Sequence, residues 1–226
     1  MSSLRPIPDR PALGVVRAKI VTFELPQLSG AFLAGGLLFG LIAVALLIAD
    51  GALAAHFALL RGSLEEMGPH VRIFLVGNIL WASAWASVLV GFVVLAHLLA
   101  DAGDRYLAKL SLIAITVAVV LALLEATFGL TVTRWAITEA VANGTTPEIY
   151  TVLRGWTNGL QAVYILFALA AQAGFGAALL QTGLISSGVS WFTLIWSLGW
   201  LFVLALGIPA ILMIAPAVIG VALLFT

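Results

Sequence analysis

The chain has 226 residues, of which 63% are hydrophobic and 9% are charged, and its ten acidic side chains balance its ten basic ones. Soluble domains carry charges on about a quarter of their residues because their surfaces face water, so this composition indicates a membrane protein. The balanced charge argues against nucleic-acid binding, and the absence of cysteine excludes disulfides, thiolate metal sites and thiol catalysis.

Residues 1–28 are predicted to form a cytoplasmic or interfacial tail ahead of the membrane. Its basic stretch and the apolar run that follows are both too long for an ordinary signal peptide. Four apolar residues of the tail share one helical face, which favours a short helix lying at the membrane interface until Pro26 interrupts it. These four are Leu13, Val16, Ile20 and Phe23. An irregular tail resting on the bundle is the alternative.

Long apolar runs follow the tail. A helix needs about 20 apolar residues to cross ~30 Å of hydrocarbon, and only helices or closed barrels satisfy their backbone groups there. The runs cover residues 30–49, 73–100, 110–133, 156–181, 191–206 and 209–225. The first could continue as a tilted helix past Asp50 toward Leu60. We therefore predict an all-α, polytopic transmembrane helical bundle of six spans over residues 29–226.

The last two runs lie within an uncharged segment, because the 72 residues after Arg154 include no Asp, Glu, Lys, Arg or His. A charge at the bilayer centre costs ~3 to more than ~10 kcal/mol, so this segment is suited to lipid. Gly207 is suited to a helix C-cap and Pro209 to the first turn of a new helix, which favours two spans with a kink at Pro216. Five spans plus a re-entrant hairpin is the alternative.

The distribution of Lys and Arg predicts the orientation of the bundle. With the N-terminus inside the cell, six basic residues lie on the cytoplasmic side and four on the outside. The six are Arg5, Arg10, Arg17, Lys19, Arg105 and Lys109, and the four are Arg61, Arg72, Arg134 and Arg154. Six spans then place both termini in the cytoplasm.

Glu125 is the one formally charged side chain deep within an apolar run. Intramembrane ionisable groups are costly and commonly functional, so this carboxyl is the leading candidate for a site. Polar and aromatic residues on neighbouring runs could converge with it on a polar cavity. They are Asn78, Trp81 and Trp85 on the second run and Gln161, Tyr164 and Gln172 on the fourth. The alternative is that all of these side chains form interhelical hydrogen bonds that only hold the helices together.

Small residues at four-residue spacing predict closely packed helix pairs. Gly36 and Gly40 form this pattern in the first run. Ala170, Gly174 and Ala178 repeat it in the fourth. The spacing does not distinguish pairing within one chain from pairing between chains.

No metal or cofactor site is predicted. His56 and His70 lie on the outer side, whereas His97 ends the second span on the other side, so the three cannot share one ligand set. The only lysines, Lys19 and Lys109, lie outside the spans, which excludes a retinal Schiff base. A bound lipid or other hydrophobic ligand is compatible with the composition.

The C-terminal third carries a set of local sequence patterns. They are GAALLQTGLI at 176–185, Trp191, GIP at 207–209 and APAVIGVALL at 215–224. In these patterns the chain resembles a family of uncharacterised six-span bacterial integral membrane proteins. The resemblance implies a six-helix protein of the bacterial cytoplasmic (inner) membrane, and it supplies no established activity to carry over.

These observations predict a non-catalytic, multi-pass subunit of a membrane complex, or a membrane protein that binds a hydrophobic ligand or lipid. In either case its helices would pack against a partner membrane protein or further copies of the same chain. A small proton-coupled carrier, with Glu125 as its protonatable group, is the alternative. An enzyme is not expected, because no second ionisable group at membrane depth can act as base or nucleophile.

Overall fold

In a computed structural model of the protein, residues 24–61, 63–104, 106–204 and 212–226 are described. Within these ranges the chain forms helices and turns, with no strand, so the predicted all-helical fold is confirmed. The helices are α1 (Leu25–Ala49), α2 (Leu53–Arg61), a 3₁₀ helix (Glu65–His70), α3 (Val71–Asp101), α4 (Leu107–Phe128), a π segment (Gly129–Thr133), α5 (Arg134–Asn143), α6 (Glu148–Thr182), α7 (Ser187–Leu204) and α8 (Ile214–Leu224).

Four helical units in the described chain are long and apolar enough to cross a membrane. They are α1, the 3₁₀ helix joined to α3, α4 joined through the π segment to α5, and α6. These units contain the first four predicted runs, but the third continues to Asn143 and the fourth begins already at Glu148. The apolar helices α7 and α8 have 18 and 11 residues, which corresponds to about 27 and about 17 Å.

α1 differs from the predicted first span at both ends. It begins at Leu25, before the predicted boundary at residue 29, because Pro26 lies in its first turn, where a missing N–H costs no intrahelical bond. It ends at Ala49 and does not continue toward Leu60. Gly51 has a φ of 71°, in the left-handed region that favours glycine, and the chain turns there into the separate helix α2.

The six longest helices pack around a common core in a closed order. α1 packs on α3, α3 on α4, α4 on α6, α6 on α7, α7 on α8 and α8 on α1. Phe92 of α3 and Phe175 of α6 stack across the core, with ring centroids 4.4 Å apart and planes 12° apart, and both are fully buried. Stacked aromatic pairs of this kind add to the stabilisation from buried area alone.

Glycines bring α1 close to two neighbouring helices. A Cβ atom at Gly36 would collide with the Val88 side chain of α3. One at Gly220 of α8 would lie 2.8 Å from the Gly30 carbonyl oxygen. Gly30 approaches Leu224, the last residue of α8, whereas Gly220 approaches Ala34, one turn further along α1, so the two helices run antiparallel and α8 ends beside the start of α1.

Pro216 does not kink α8, contrary to the sequence prediction. α8 begins at Ile214, so Pro216 lies in its first turn, where a backbone N–H has no intrahelical acceptor to lose. Gly207, Pro209 and Arg105 lie outside the described residues. The apolar face predicted in the tail, at residues 13–23, also lies outside the described residues.

We expect Gly220→Ala to destabilise the protein. The added methyl group would lie 2.7 Å from the Ala34 nitrogen, so α1 and α8 would have to separate. Overpacking of this kind costs about 1–3 kcal/mol and should lower the midpoint of thermal unfolding in detergent. Gly159→Ala on α6 is the matched control, because no atom lies within 4 Å of its added Cβ. Equal midpoint shifts for the two variants would contradict the close α1–α8 contact.

Candidate functional site

A cavity of about 370 Å³ lies among α1, α2, α3, the junction of α4 with the π segment, and α6. Its polar lining residues are His56, Asn78, Glu125, Thr133, Arg154, Thr157, Asn158 and Gln161, and its aromatic ones are Phe74, Trp81, Phe128, Tyr150 and Tyr164. Glu125 is the one acidic residue of this described lining. We call the space the Glu125 cavity.

The Glu125 cavity lies in the half of the bundle that is remote from the Gly30–Gly220 contact. It is lined by the later residues of α1 and α4 and by the earlier residues of α3 and α6. Asn158 and Gln161 are exposed although they line it, so the cavity is open to the surroundings of the bundle. An open space that is lined partly by polar side chains is a place where an ionisable side chain can be solvated.

The Tyr164 hydroxyl connects three polar side chains of the cavity. It lies within hydrogen-bonding reach of Glu125, Gln161 and Trp81. The indole N–H of Trp81 can act only as a donor toward the Tyr164 oxygen, which leaves the Tyr164 O–H as the donor toward the Glu125 carboxyl. Tyr164 is only 2% exposed. The Glu125 carboxyl is therefore held by a buried donor at the edge of an open cavity.

Trp85 lies behind this group of side chains and supports it. Its ring is fully buried and makes edge-to-face contacts with Trp81 and Tyr164, at centroid distances of 6.1 and 5.6 Å. Its indole N–H has no hydrogen-bond partner among the described residues. Trp85 thus contributes through packing, because its ring contacts fix the positions of the Trp81 and Tyr164 rings next to Glu125.

The π segment follows Glu125 by one helical turn. Such segments interrupt α-helices mostly as single turns and frequently occur at functional sites. At its first residue, Gly129, an added Cβ would collide with the side-chain amide of Asn78 on α3. The Asn78 Nδ2 atom donates to the Phe74 carbonyl oxygen at 2.9 Å, which leaves its amide oxygen directed toward Gly129. The absence of a side chain at Gly129 therefore leaves room for the Asn78 side chain at the cavity wall.

The structure brings together five of the seven residues that the sequence analysis grouped into a polar site. The five that line the Glu125 cavity are Asn78, Trp81, Glu125, Gln161 and Tyr164. Gln172 lies elsewhere: it is eleven residues after Gln161, or about 17 Å further along α6. It is fully buried, and its Nε2 atom donates to the Leu212 carbonyl oxygen at 2.9 Å. Gln172 thus holds the backbone just before α8.

The five small residues of the predicted packing motifs fall in different environments. Gly36 and Gly174 approach α3 and α4 closely, and Ala178 is fully buried. Gly40 instead lines the Glu125 cavity, and Ala170 is exposed. Close packing within the chain therefore applies to three of the five.

Two residues of the cavity, His56 and Arg154, were assigned by the sequence analysis to outer loops. His56 lies on the short helix α2, where burial lowers its pKa below the usual 6.5, so its ring is neutral at pH 7. A signal for Arg154 is present in the sequence. The lining residues of α6 recur every three or four positions, as neighbours on one helical face do. They are Tyr150, Arg154, Thr157, Asn158, Gln161 and Tyr164.

Comparison with known proteins adds no assignment to this geometry. No protein-family model, curated protein or solved structure matches the chain. Within the described residues, no group of three His, Cys, Asp or Glu side chains is placed to hold a metal ion. The cavity chemistry is thus that of one carboxyl, a neutral imidazole, a guanidinium, several amides and hydroxyls, and aromatic rings.

We expect a cysteine placed in the cavity to react with water-soluble thiol reagents. The chain has no native cysteine, so Asn158→Cys gives one reporter at the cavity and Ala170→Cys gives one on the exposed apolar part of the same helix. Thiolates form in water and not in hydrocarbon, so a membrane-impermeant maleimide should label the first variant and spare the second. Labelling in reconstituted vesicles is read by gel shift. Equal labelling of both variants would contradict a water-accessible cavity.

Proposed function

We propose that the chain is a non-catalytic integral membrane protein that binds a small amphipathic or lipid-like molecule in the Glu125 cavity. The observation that carries this proposal is the combination of an open cavity, aromatic walls and one carboxyl held by Tyr164. Small-molecule sites commonly measure about 300–1,000 Å³ and pair apolar walls with a few placed polar groups. The volume of about 370 Å³ is within this range.

We further propose six membrane spans, with both termini on the cytoplasmic side of a bacterial cytoplasmic membrane. The contact between Gly30 and Gly220 supports an even number of crossings, because it brings the end of α8 beside the start of α1. We propose six because the sequence contains six apolar runs. The bias of Lys and Arg supports the orientation. In this topology the Glu125 cavity belongs to the outer half of the bundle, so labelling of Asn158→Cys should come from outside intact cells.

We expect a larger side chain at position 40 to fill part of the Glu125 cavity and to weaken binding of its proposed ligand. A Cβ at Gly40 would meet only the far edge of the Trp81 ring, at 3.9 Å, so Gly40→Leu can extend into the cavity without displacing backbone. Native mass spectrometry of the full chain, purified in a mild non-ionic detergent, should show a bound small molecule or lipid on the wild type and less of it on this variant.

The matched control for this experiment is Gly159→Leu, which adds the same side chain to an open position of α6. It should bind as the wild type does. If Gly40→Leu and Gly159→Leu retain the same bound mass as the wild type, the cavity is not the binding site.

A proton-coupled carrier is the second candidate. It is favoured by the placement of the Glu125 carboxyl, which lies at the cavity wall and has a hydroxyl donor in Tyr164, so a proton can be exchanged with solvent there. In a carrier, proton and substrate use this group in turn. The cavity supports this candidate over a purely structural role, in which Glu125 would be enclosed between packed helices.

We expect Glu125→Gln to abolish substrate-driven proton flux if the protein is a carrier. Flux is measured with an internal pH dye in vesicles that contain the full chain, across a panel of small amines, acids and neutral solutes. Glu139→Gln is the control, because Glu139 bonds to Asn143 on α5 and lies outside the cavity lining. A flux that persists in Glu125→Gln, or none in the wild type, would exclude the carrier.

Association with a partner membrane protein or with further copies of the chain remains part of the proposal. Apolar residues of α1 such as Leu38, Leu41 and Ile48 are more than half exposed, which is expected of a surface that meets lipid or another helix. Purification from native membranes would identify a stoichiometric partner. Such a partner would assign the protein to a complex. The native mass spectrometry experiment with Gly40→Leu would still decide whether the cavity binds a small molecule.

A further inference from the structure

We propose that the ligand of the Glu125 cavity is a compact organic cation, an amine or quaternary ammonium group whose charge lies beside Glu125 and the Trp81 ring. This inference rests on the proposed ligand-binding function and names the class of its ligand. It follows from three features of the cavity: its single acid, the neutrality of the groups around that acid, and the aromatic surface beside it.

The first feature is the charge of the part of the cavity around Glu125. Glu125 is the one acidic side chain of the described lining. Its neighbour Tyr164 is a neutral phenol, and the two other side chains at Tyr164, Trp81 and Gln161, are also neutral. A carboxyl at membrane depth is costly to ionise unless a positive charge or several donors compensate it. A cationic ligand supplies that compensation, and an anionic ligand would add a like charge.

The second feature is the distance to the basic end of the cavity. Arg154 lies ten residues before Tyr164 on α6, or about 15 Å along the helix axis. His56, the other basic side chain of the lining, is on α2 and has a pKa lowered by burial, so it carries no positive charge at pH 7. A compact cation at Glu125 therefore lies about three helical turns from the backbone position of Arg154, and Arg154 is not among the groups found at Tyr164.

The third feature is the aromatic surface. Trp81 lines the cavity and shares Tyr164 with Glu125, so its ring lies close to the position of the ligand charge. Indole is the strongest of the aromatic side chains in attracting cations to its face, and proteins bind quaternary ammonium ligands with such rings. Phe74, Phe128 and Tyr150 extend this surface within the lining.

The test uses three probes of nearly equal shape: benzyltrimethylammonium, its neutral carbon analogue neopentylbenzene, and the anion phenylmethanesulfonate. Binding to the full chain in a non-ionic detergent is measured by equilibrium dialysis. We expect the wild type to bind the cation and to bind the neutral and anionic probes at least about 10-fold more weakly, the effect of one uncompensated charge.

Variants locate the bound charge. Glu125→Gln should weaken binding of the cation by about 30-fold or more, whereas Glu125→Asp, which keeps the charge, should retain most of it. Trp81→Leu should weaken it by about 3-fold or more and Trp81→Phe by less, because a phenyl ring keeps part of the cation–π attraction. Glu139→Gln is the matched control and should bind as the wild type does. Each variant is checked for its unfolding midpoint, so that loss of fold is not mistaken for loss of the site.

The outcomes separate this inference from the proposed function. Binding of the neutral or anionic probe in preference to the cation overturns the inference and leaves ligand binding in the cavity intact. Cation binding that survives Glu125→Gln unchanged also overturns it. If no probe binds and Gly40→Leu loses no native ligand, both the inference and the proposed function fail.

Discussion

The constraint on which this structure depends is that a polar group in hydrocarbon must find its partner inside the protein. It makes every described element helical, and it also explains the side chains that bond to backbone carbonyls of neighbouring helices. Ser29 of α1 donates to Gly91 at 2.9 Å, Ser87 of α3 donates to Phe32 at 2.7 Å, and Gln172 serves the backbone before α8. Glu125 is not enclosed by pairing of this kind, because its carboxyl faces a cavity as well as Tyr164.

Glycines have two different roles in the bundle. At Gly36, Gly129 and Gly220 they are positions of close approach between helices. At Gly40 and Gly77 they line open space, where the missing side chain enlarges the cavity. The first kind of glycine brings the helices together, and the second leaves room for the Glu125 cavity.

The sequence predicts much of this arrangement because apolar runs report helices directly. The run at 73–100 corresponds to Val71–Asp101, and helical spacing placed Asn78 and Trp81 on one face. Residue spacing predicts which face of a helix a side chain lies on, but it does not predict which neighbouring residues that side chain contacts. Gln172 therefore shares a helical face with Gln161 and yet lies in another part of the bundle. The π segment and the turn at Gly51 depend on tertiary contacts and backbone angles that no periodicity encodes.

The most direct test of the cavity is the infrared C=O band of the Glu125 side chain, recorded without ligand at a pH where the carboxyl is protonated and isolated by difference between the wild type and Glu125→Gln in lipid. We predict that this band changes on transfer to D₂O within minutes and shifts in Tyr164→Phe, which removes the hydroxyl donor, but not in Tyr106→Phe, since Tyr106 is exposed and outside the cavity lining. A band that resists exchange and is indifferent to Tyr164→Phe would show that Glu125 is enclosed between helices, and would contradict the cavity on which the proposed function rests.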